Sequence, residues 1–337
     1  MKKFFAYLVL LFVPGFLYSQ FGVSKVGTTA AQFLKIGVGA RAVGMGGAFV
    51  AVADDATAIY WNPAGVSRLS KNEAVVIHTS WLAGLRFDFA GVIICTPRWG
   101  NIGVGVTSLS MPEMKVRTVE NSEGTGEMFA AGDLALGLSY ARCLTDRFSV
   151  GINLKYINQR IWHMSASTFA VDVGTLFETD FNDMKIGMSI LNFGGKIGYS
   201  GRDILVYYDF NPDFFGDNDR IIADLHTDRW SLPLMFRVGI SLDVIGNESN
   251  TLTLAIDAKH PNDNTESIDL GIEYIFHKRI SLRAGYSSLF LKDSEGGLTL
   301  GGGIRHRFGS YAVKLDVAYA DFGRLQNAKR LSLSFEF

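Results

Sequence analysis

From about Glu73 to its C-terminus the chain repeats one pattern, a run of alternating apolar and polar side chains followed by a turn. In 147–160, Phe148, Val150, Ile152, Leu154 and Tyr156 share one face, and Ser149, Gly151, Asn153, Lys155 and Gln159 share the other. Successive strand side chains point to opposite sides, so each such segment has one apolar and one polar face. The same parity sets Phe236, Val238, Ile240, Leu242 and Val244 against Arg237, Gly239, Ser241 and Asp243. It sets Tyr311, Val313, Leu315, Val317 and Tyr319 against Ala312, Lys314, Asp316 and Ala318. The pattern predicts strands at 73–82, 85–97, 100–110, 128–142, 147–160, 166–179, 184–193, 231–244, 251–260, 265–277, 279–289, 297–307, 310–321 and 329–337. The total is about 14, an even number as in single-chain outer-membrane barrels. Short turns at 97–101, 144–146, 276–278 and 308–310 fall at one end, and long connections near 111–127 and 194–230 at the other. That is the asymmetry between periplasmic turns and outer loops. Near Gly301-Gly302-Gly303 the alternation breaks, which predicts a bend or close packing against another segment.

A soluble β-sandwich also alternates, but its polar face meets bulk water. Here that face is rich in Gly and Ala with isolated charges, which suits a filled lumen. The start of the chain sharpens the choice. Lys2 and Lys3 precede an apolar run from Phe4 to Phe16, followed by Leu17-Tyr18-Ser19-Gln20, the form of an export signal over residues 1–20. That run is shorter than the roughly 20 residues a spanning helix needs, and no later stretch qualifies. Cys95 and Cys143 are the only cysteines, so no disulfide framework is available. An exported, strongly apolar chain with neither device satisfies its backbone in lipid by closing a barrel. The fold expected is therefore all-β: a transmembrane antiparallel β-barrel over 73–337, in the outer membrane of a Gram-negative-type bacterium. The final strand sets Leu331, Leu333, Phe335 and Phe337 against Ser332, Ser334 and Glu336. Its terminal aromatic residue resembles the signal read by the barrel assembly machinery.

Composition adds limits. Of 337 residues, 48% are hydrophobic and 19% charged, with a net charge of −1, which gives no basic surface for nucleic acid. Gly stands at 37 residues against 7 Pro, which suits closely packed strands.

Residues 21–72 do not alternate. Gly44, Gly46 and Gly47, around Met45, permit close backbone approach or positive φ. Ala51–Ala58 suits a short helix with Asp54 or Asp55 capping its start, and Asn62-Pro63, followed by Ala64 and Gly65, signals the turn that ends it. Tyr60 and Trp61 are rings suited to wedging such a segment against a wall. The run from Gly37 to Val66 resembles the PorV/PorQ group within the superfamily of the long-chain fatty-acid transporter FadL. The resemblance implies a 14-stranded barrel with residues 21–72 inside the lumen as a hatch.

No catalytic constellation emerges. Gly37-x-Gly39 has no strand before it and no βαβ unit after it, as a dinucleotide loop requires. Asp54-Asp55 lacks a nucleophile or His nearby; a cap or a salt bridge to Arg41 accounts for the pair. The six histidines are scattered without ligand spacing. The acidic stretch Asp209, Asn211, Asp213, Asp217, Asn218 and Asp219 lacks the glycine and terminal Glu of an EF-hand. Neither a metal nor a cofactor is implied. Asp257, Lys259, Asp269, Glu273, Arg283, Arg305, Arg307, Lys314 and Asp316 all have lumen parity. Buried charges need partners, which predicts a cross-strand ionic network rather than an apolar tunnel. Tyr207, Tyr208, Phe210, Phe214 and Phe215 make the longest loop aromatic-rich. By resemblance two non-enzymatic functions follow: association with type IX secretion, with secretion-channel subunits or secreted cargo as partners, or passive uptake of hydrophobic molecules.

Overall fold

The computed structural model describes residues 25–337, except 97, 212, 214–219, 248, 292 and 293. The export signal, Phe214, Phe215 and Asp217–Asp219 lie outside the described residues.

Among the described residues fourteen antiparallel strands close into a barrel. They are β1 Glu73–Ser80, β2 Arg86–Ile94, β3 Asn101–Ser110, β4 Ala131–Cys143, β5 Phe148–Ile161, β6 Met164–Glu178 and β7 Lys185–Gly194. The second half comprises β8 Met235–Gly246, β9 Thr251–Pro261, β10 Ser267–Phe276, β11 Ile280–Leu289, β12 Leu298–Phe308, β13 Tyr311–Asp321 and β14 Asn327–Glu336. Each strand pairs with its sequence neighbours, and β1 closes on β14 from Glu73↔Glu336 to Ser80↔Lys329. The chain's last residue and the short turns share one end; the 111–130 and 195–234 connections occupy the other.

The predicted strands stand, with local differences at their ends. β4 starts at Ala131 because Met128–Phe129 turns aside to pair with Met114–Lys115. β8 starts at Met235 because Pro233 has no N–H for a ladder, and the neighbouring Leu232 turns into the interior at 2% exposure. At Gly301–Gly303 the ladders to β11 and β13 run through without a register shift, and of the two expectations it is the packing against the segment that holds. The glycines there answer to packing, since Gly44 lies against the Gly301 backbone.

The apolar parity of the strands faces outward and stays exposed, as a lipid-facing surface does. Trp99, Tyr140, Phe177, Phe276, Phe308, Tyr311 and Phe335 ring the short-turn end. Phe169, Phe193, Tyr286 and Tyr319 lie toward the other, giving the two aromatic girdles of a membrane barrel.

Residues 29–72 run down the inside. Thr29 bridges Ser231 at the long-loop end, and a 3-10 turn follows at Gln32–Lys35. Helix α1 (Ala40–Gly44) packs on β11–β14. Helix α2 (Ala58–Trp61) and a 3-10 turn (Pro63–Arg68) follow, the latter packing on β3–β6. The segment therefore touches opposite walls. The predicted helix over Ala51–Ala58 is instead the single turn α2. Asp55 Oδ1 accepts from Thr57 N at 2.9 Å, and this local turn delays the helix.

The lumen wall has two characters. Val75, Ile77, Phe87, Phe89 and Ile93 point inward from β1 and β2 and join the segment's apolar core. The inward charges concentrate on β8–β14.

Candidate functional site

The segment is fixed to the wall by shape first. Gly46 has φ +69°, and a Cβ there would stand 2.5 Å from the Leu270 carbonyl oxygen and 2.7 Å from Tyr286 N. Only glycine combines that conformation with that clearance. On the opposite side a Cβ at Gly151 would meet the Pro63 carbonyl carbon at 2.3 Å, and one at Gly174 would meet Asn62 Oδ1 at 2.0 Å. Gly and lumen parity coincide because backbone lies on backbone there. Gly47 takes φ +86° in the turn after α1, Met45 is fully buried, and Ala64 and Gly65 are buried in the 3-10 turn.

Asn62 is fully buried and all its polar atoms are used. Nδ2 donates to Val50 O at 2.9 Å and to Thr175 O of β6 at 3.1 Å, while Oδ1 accepts from Ala64 N at 3.1 Å. Pro63 stands at the first position of the 3-10 turn, where a missing N–H costs nothing. Trp61 Nε1 donates to Val38 O at 2.8 Å, and Tyr60 Oη donates to Leu34 O at 3.1 Å. These rings thus brace the segment on itself. From the wall, Arg237 lays its guanidinium 4.8 Å from the Trp61 ring and 5.9 Å from that of Tyr60.

The ionic network predicted for the lumen is present and centres on the segment. Arg41 of α1 grips Glu273 with two hydrogen bonds, Nε to Oε1 at 2.9 Å and Nη2 to Oε2 at 2.8 Å. Its Nη1 donates to Asp54 and to Asp55, so Asp54 is an ion-pair partner rather than a helix cap. Burial works against the Arg41 charge, and Asp54, Glu273 and Asp55 surround it as counter-ions. Glu273 also accepts from Arg283 Nε at 2.6 Å, and Arg283 reaches Asp316 at 2.6 Å. Lys314 lies 2.7 Å from Glu336, which also takes Arg305 at 2.6 Å; Lys259 pairs with Asp269 at 2.7 Å.

Two predicted members behave differently. Asp257 is in no ion pair among the described residues: its Oδ2 accepts the backbone N–H groups of Phe49 and Val50, at 2.8 and 2.9 Å. Its position opposite the turn after α1 gives it unpaired amides instead of a cation. Arg307 reaches the short-turn rim, where it is exposed, so its charge is solvated rather than held in the network.

Sequence reasoning missed several participants. Lys155–Asp172 (2.8 Å) and Lys35–Asp263 (2.9 Å) are further ion pairs, and Glu73 and Glu336 receive Lys314. Asp263 lies in an outer connection and also accepts from Thr29 and Gln32. Burial alone would raise its pKa; the bonds from Gln32, Lys35 and Thr29 reverse that and hold it below the usual carboxylate value. Arg237 and Arg330, 5% and 4% exposed, are buried cations with no carboxylate in ion-pair range among the described residues. Arg330 instead stacks on Trp81 at 5.3 Å. Lumen parity on their strands was the available signal.

Below the Arg41 network the lumen opens toward the short-turn end as a cavity of about 400 Å³. Toward β2–β6 a second space of only about 30 Å³ lies beside Leu34, Ile59 and Phe89. At the long-loop end, Leu205–Tyr208 pairs antiparallel with Ile221–Asp224 in a separate hairpin. It carries Tyr207, Tyr208 and Ile222 exposed, with Phe210, 79% exposed, just beyond.

The family model described as type IX secretion system protein PorV matches residues 20–225, more than half of the chain. The chain belongs to the PorV family. It is thus an outer-membrane β-barrel associated with type IX protein secretion. No curated protein matches it. Among solved structures it is similar to the Ralstonia pickettii toluene transporter TbuX, at 12% identity and TM-score 0.56, covering 89% of this chain and 97% of that one. It is similar to the Pseudomonas putida toluene transporter TodX at 12% identity and TM-score 0.55, with the same coverage. A Pseudomonas aeruginosa FadL homologue aligns at 11% identity and TM-score 0.52, covering 89% and 98%. These likenesses, at such identities, are likenesses of fold. The PorV match is what carries the secretion assignment.

Proposed function

We propose that this PorV-family barrel handles secreted proteins at its long-loop end, while residues 21–72 act as a plug that seals the lumen. The carrying observation is the pairing of an exposed aromatic hairpin outside with a segment packed backbone-on-backbone against the lumen wall inside. Exposed aromatic side chains at the loops and a lumen filled by packed chain suit a docking platform better than a pore. Aromatic rings supply contact area at low entropic cost, the usual basis of protein hot spots.

The alternative, uptake of an apolar molecule of the kind named for TbuX and TodX, fits the interior less well. The space of about 30 Å³ beside Phe89 is far below the roughly 150 Å³ of a cavity that holds benzene. The larger cavity is lined by charge.

The test is an affinity pull-down from detergent-solubilised outer membranes, with the wild type and a Tyr207→Ser/Phe210→Ser variant. The wild type recovers secretion-channel subunits or secreted cargo, and the variant recovers at least roughly tenfold less, as loss of hot-spot rings predicts. Recovery of apolar ligands alone, with growth on hydrophobic substrates lost on deletion, would overturn the proposal.

A further inference from the structure

The cavity at the short-turn end is built differently from the sealed centre above it. Its lining carries eight arginine and lysine side chains against six carboxylates. The carboxylates are engaged: Asp54 and Asp55 by Arg41, Glu273 and Asp316 by Arg283, and Glu73 and Glu336 by Lys314. Arg68 is paired with Glu178, a seventh carboxylate just behind the lining, so the surplus is one positive charge, and it lies at the rim, where Lys71, Lys278 and Arg307 are exposed with no carboxylate in ion-pair range among the described residues.

Arg68 adds geometry to charge. Its Nη1 is held by Glu178 at 3.2 Å and by the Asp146 carbonyl at 3.3 Å. Its other edge, Nε and Nη2, is buried and has no acceptor among the described residues. That edge is the one an arginine offers to two oxygens of a single oxyanion. Arg305 leaves its Nε in the same state on the facing wall. A buried guanidinium edge without an acceptor is costly unless something supplies oxygens. At about 400 Å³ the cavity falls within the roughly 300–1,000 Å³ of small-molecule sites.

We infer that the short-turn mouth of the barrel is a binding site for a small oxyanion of the phosphate class, taken by Arg68, Arg305, Lys278 and Arg307. The cationic rim attracts an anion, and tetrahedral oxygens match the unpartnered guanidinium atoms of Arg68 and Arg305. Halide has no fixed oxygen geometry to meet them. This site lies at the opposite end from the proposed cargo surface and stands or falls apart from it.

Equilibrium dialysis of the detergent-purified full-length barrel against radiolabelled inorganic phosphate tests it. Lys278→Gln/Arg307→Gln removes two solvated charges and leaves every ion pair of the network intact, so the variant barrel folds; heat-modifiable migration on gels checks that. The wild type binds phosphate saturably, sulfate competes, and the double variant binds at least roughly tenfold more weakly. Arg68→Lys, which keeps the charge and removes the fork, weakens binding as well. Absence of saturable binding, equal affinity in the double variant, or displacement by chloride at matched ionic strength overturns the assignment. So does binding of an Asp/Glu-rich peptide where phosphate itself does not bind.

Discussion

Glu273 is 1% exposed and stands between two arginines, one from α1 and one from β11. It is the residue through which the segment and the wall share one charge balance. Removing one member of a buried ionic group strands the others and typically costs about 3–5 kcal/mol. Glu273→Gln is therefore expected to lower the temperature at which the barrel loses its heat-modifiable gel form; an unshifted transition would contradict the network's role. Arg330 makes the contrast. It is buried with no carboxylate partner among the described residues, and its stacking on Trp81 is worth about 0.5–2 kcal/mol, less than the several kcal/mol needed to desolvate a cation. Arg330→Met should leave that transition unchanged or raise it, and a marked loss of stability would show that the cation has a partner of its own.

At the scale of elements, the sequence and the structure part where contacts are long-range. The strands were legible because outward residues alternate with inward ones in any barrel, whatever lies inside. The segment's helices were not, because Asp55 bonding to Thr57 and Arg41 reaching Glu273 depend on partners that periodicity cannot see. The ionic members on β8–β14 were readable from parity; Asp257 was readable as inward but not as a cap for the Phe49 and Val50 amides. Phe87 and Phe89 invert the rule by facing inward on β2, since the segment gives them an apolar surface to meet. The same logic explains the glycines of β5 and β6. Gly174→Val would drive a side chain into Asn62 and Pro63, lifting the 3-10 turn off the wall. Overpacking of this kind costs typically about 1–3 kcal/mol. We expect limited proteolysis to cleave within 60–72 in that variant and not in the wild type; equal protection would remove the close-approach argument.

At the scale of the whole molecule, the walls and the segment form one packed body rather than a tube with a loose stopper. Charge occupies one side of the lumen, apolar side chains the other, and the segment bridges them. Deleting residues 33–66 removes the buried cluster from Phe33 to Val66 while leaving the strand ladders intact. The shortened barrel should insert and conduct ions in planar bilayers, where the intact protein is silent. Equal conductance of the two would rule out the seal.

The seam between β1 and β14 has a consequence for how such a body comes apart. The segment runs from its bridge at Ser231 to the start of β1, and the ladder Glu73↔Glu336 to Ser80↔Lys329 closes the wall around it. The wall is wrapped around its own beginning. Each glycine that accepts backbone from within marks where a strand lies against that segment. Withdrawing the segment gives up those contacts while the strand ladders stay closed.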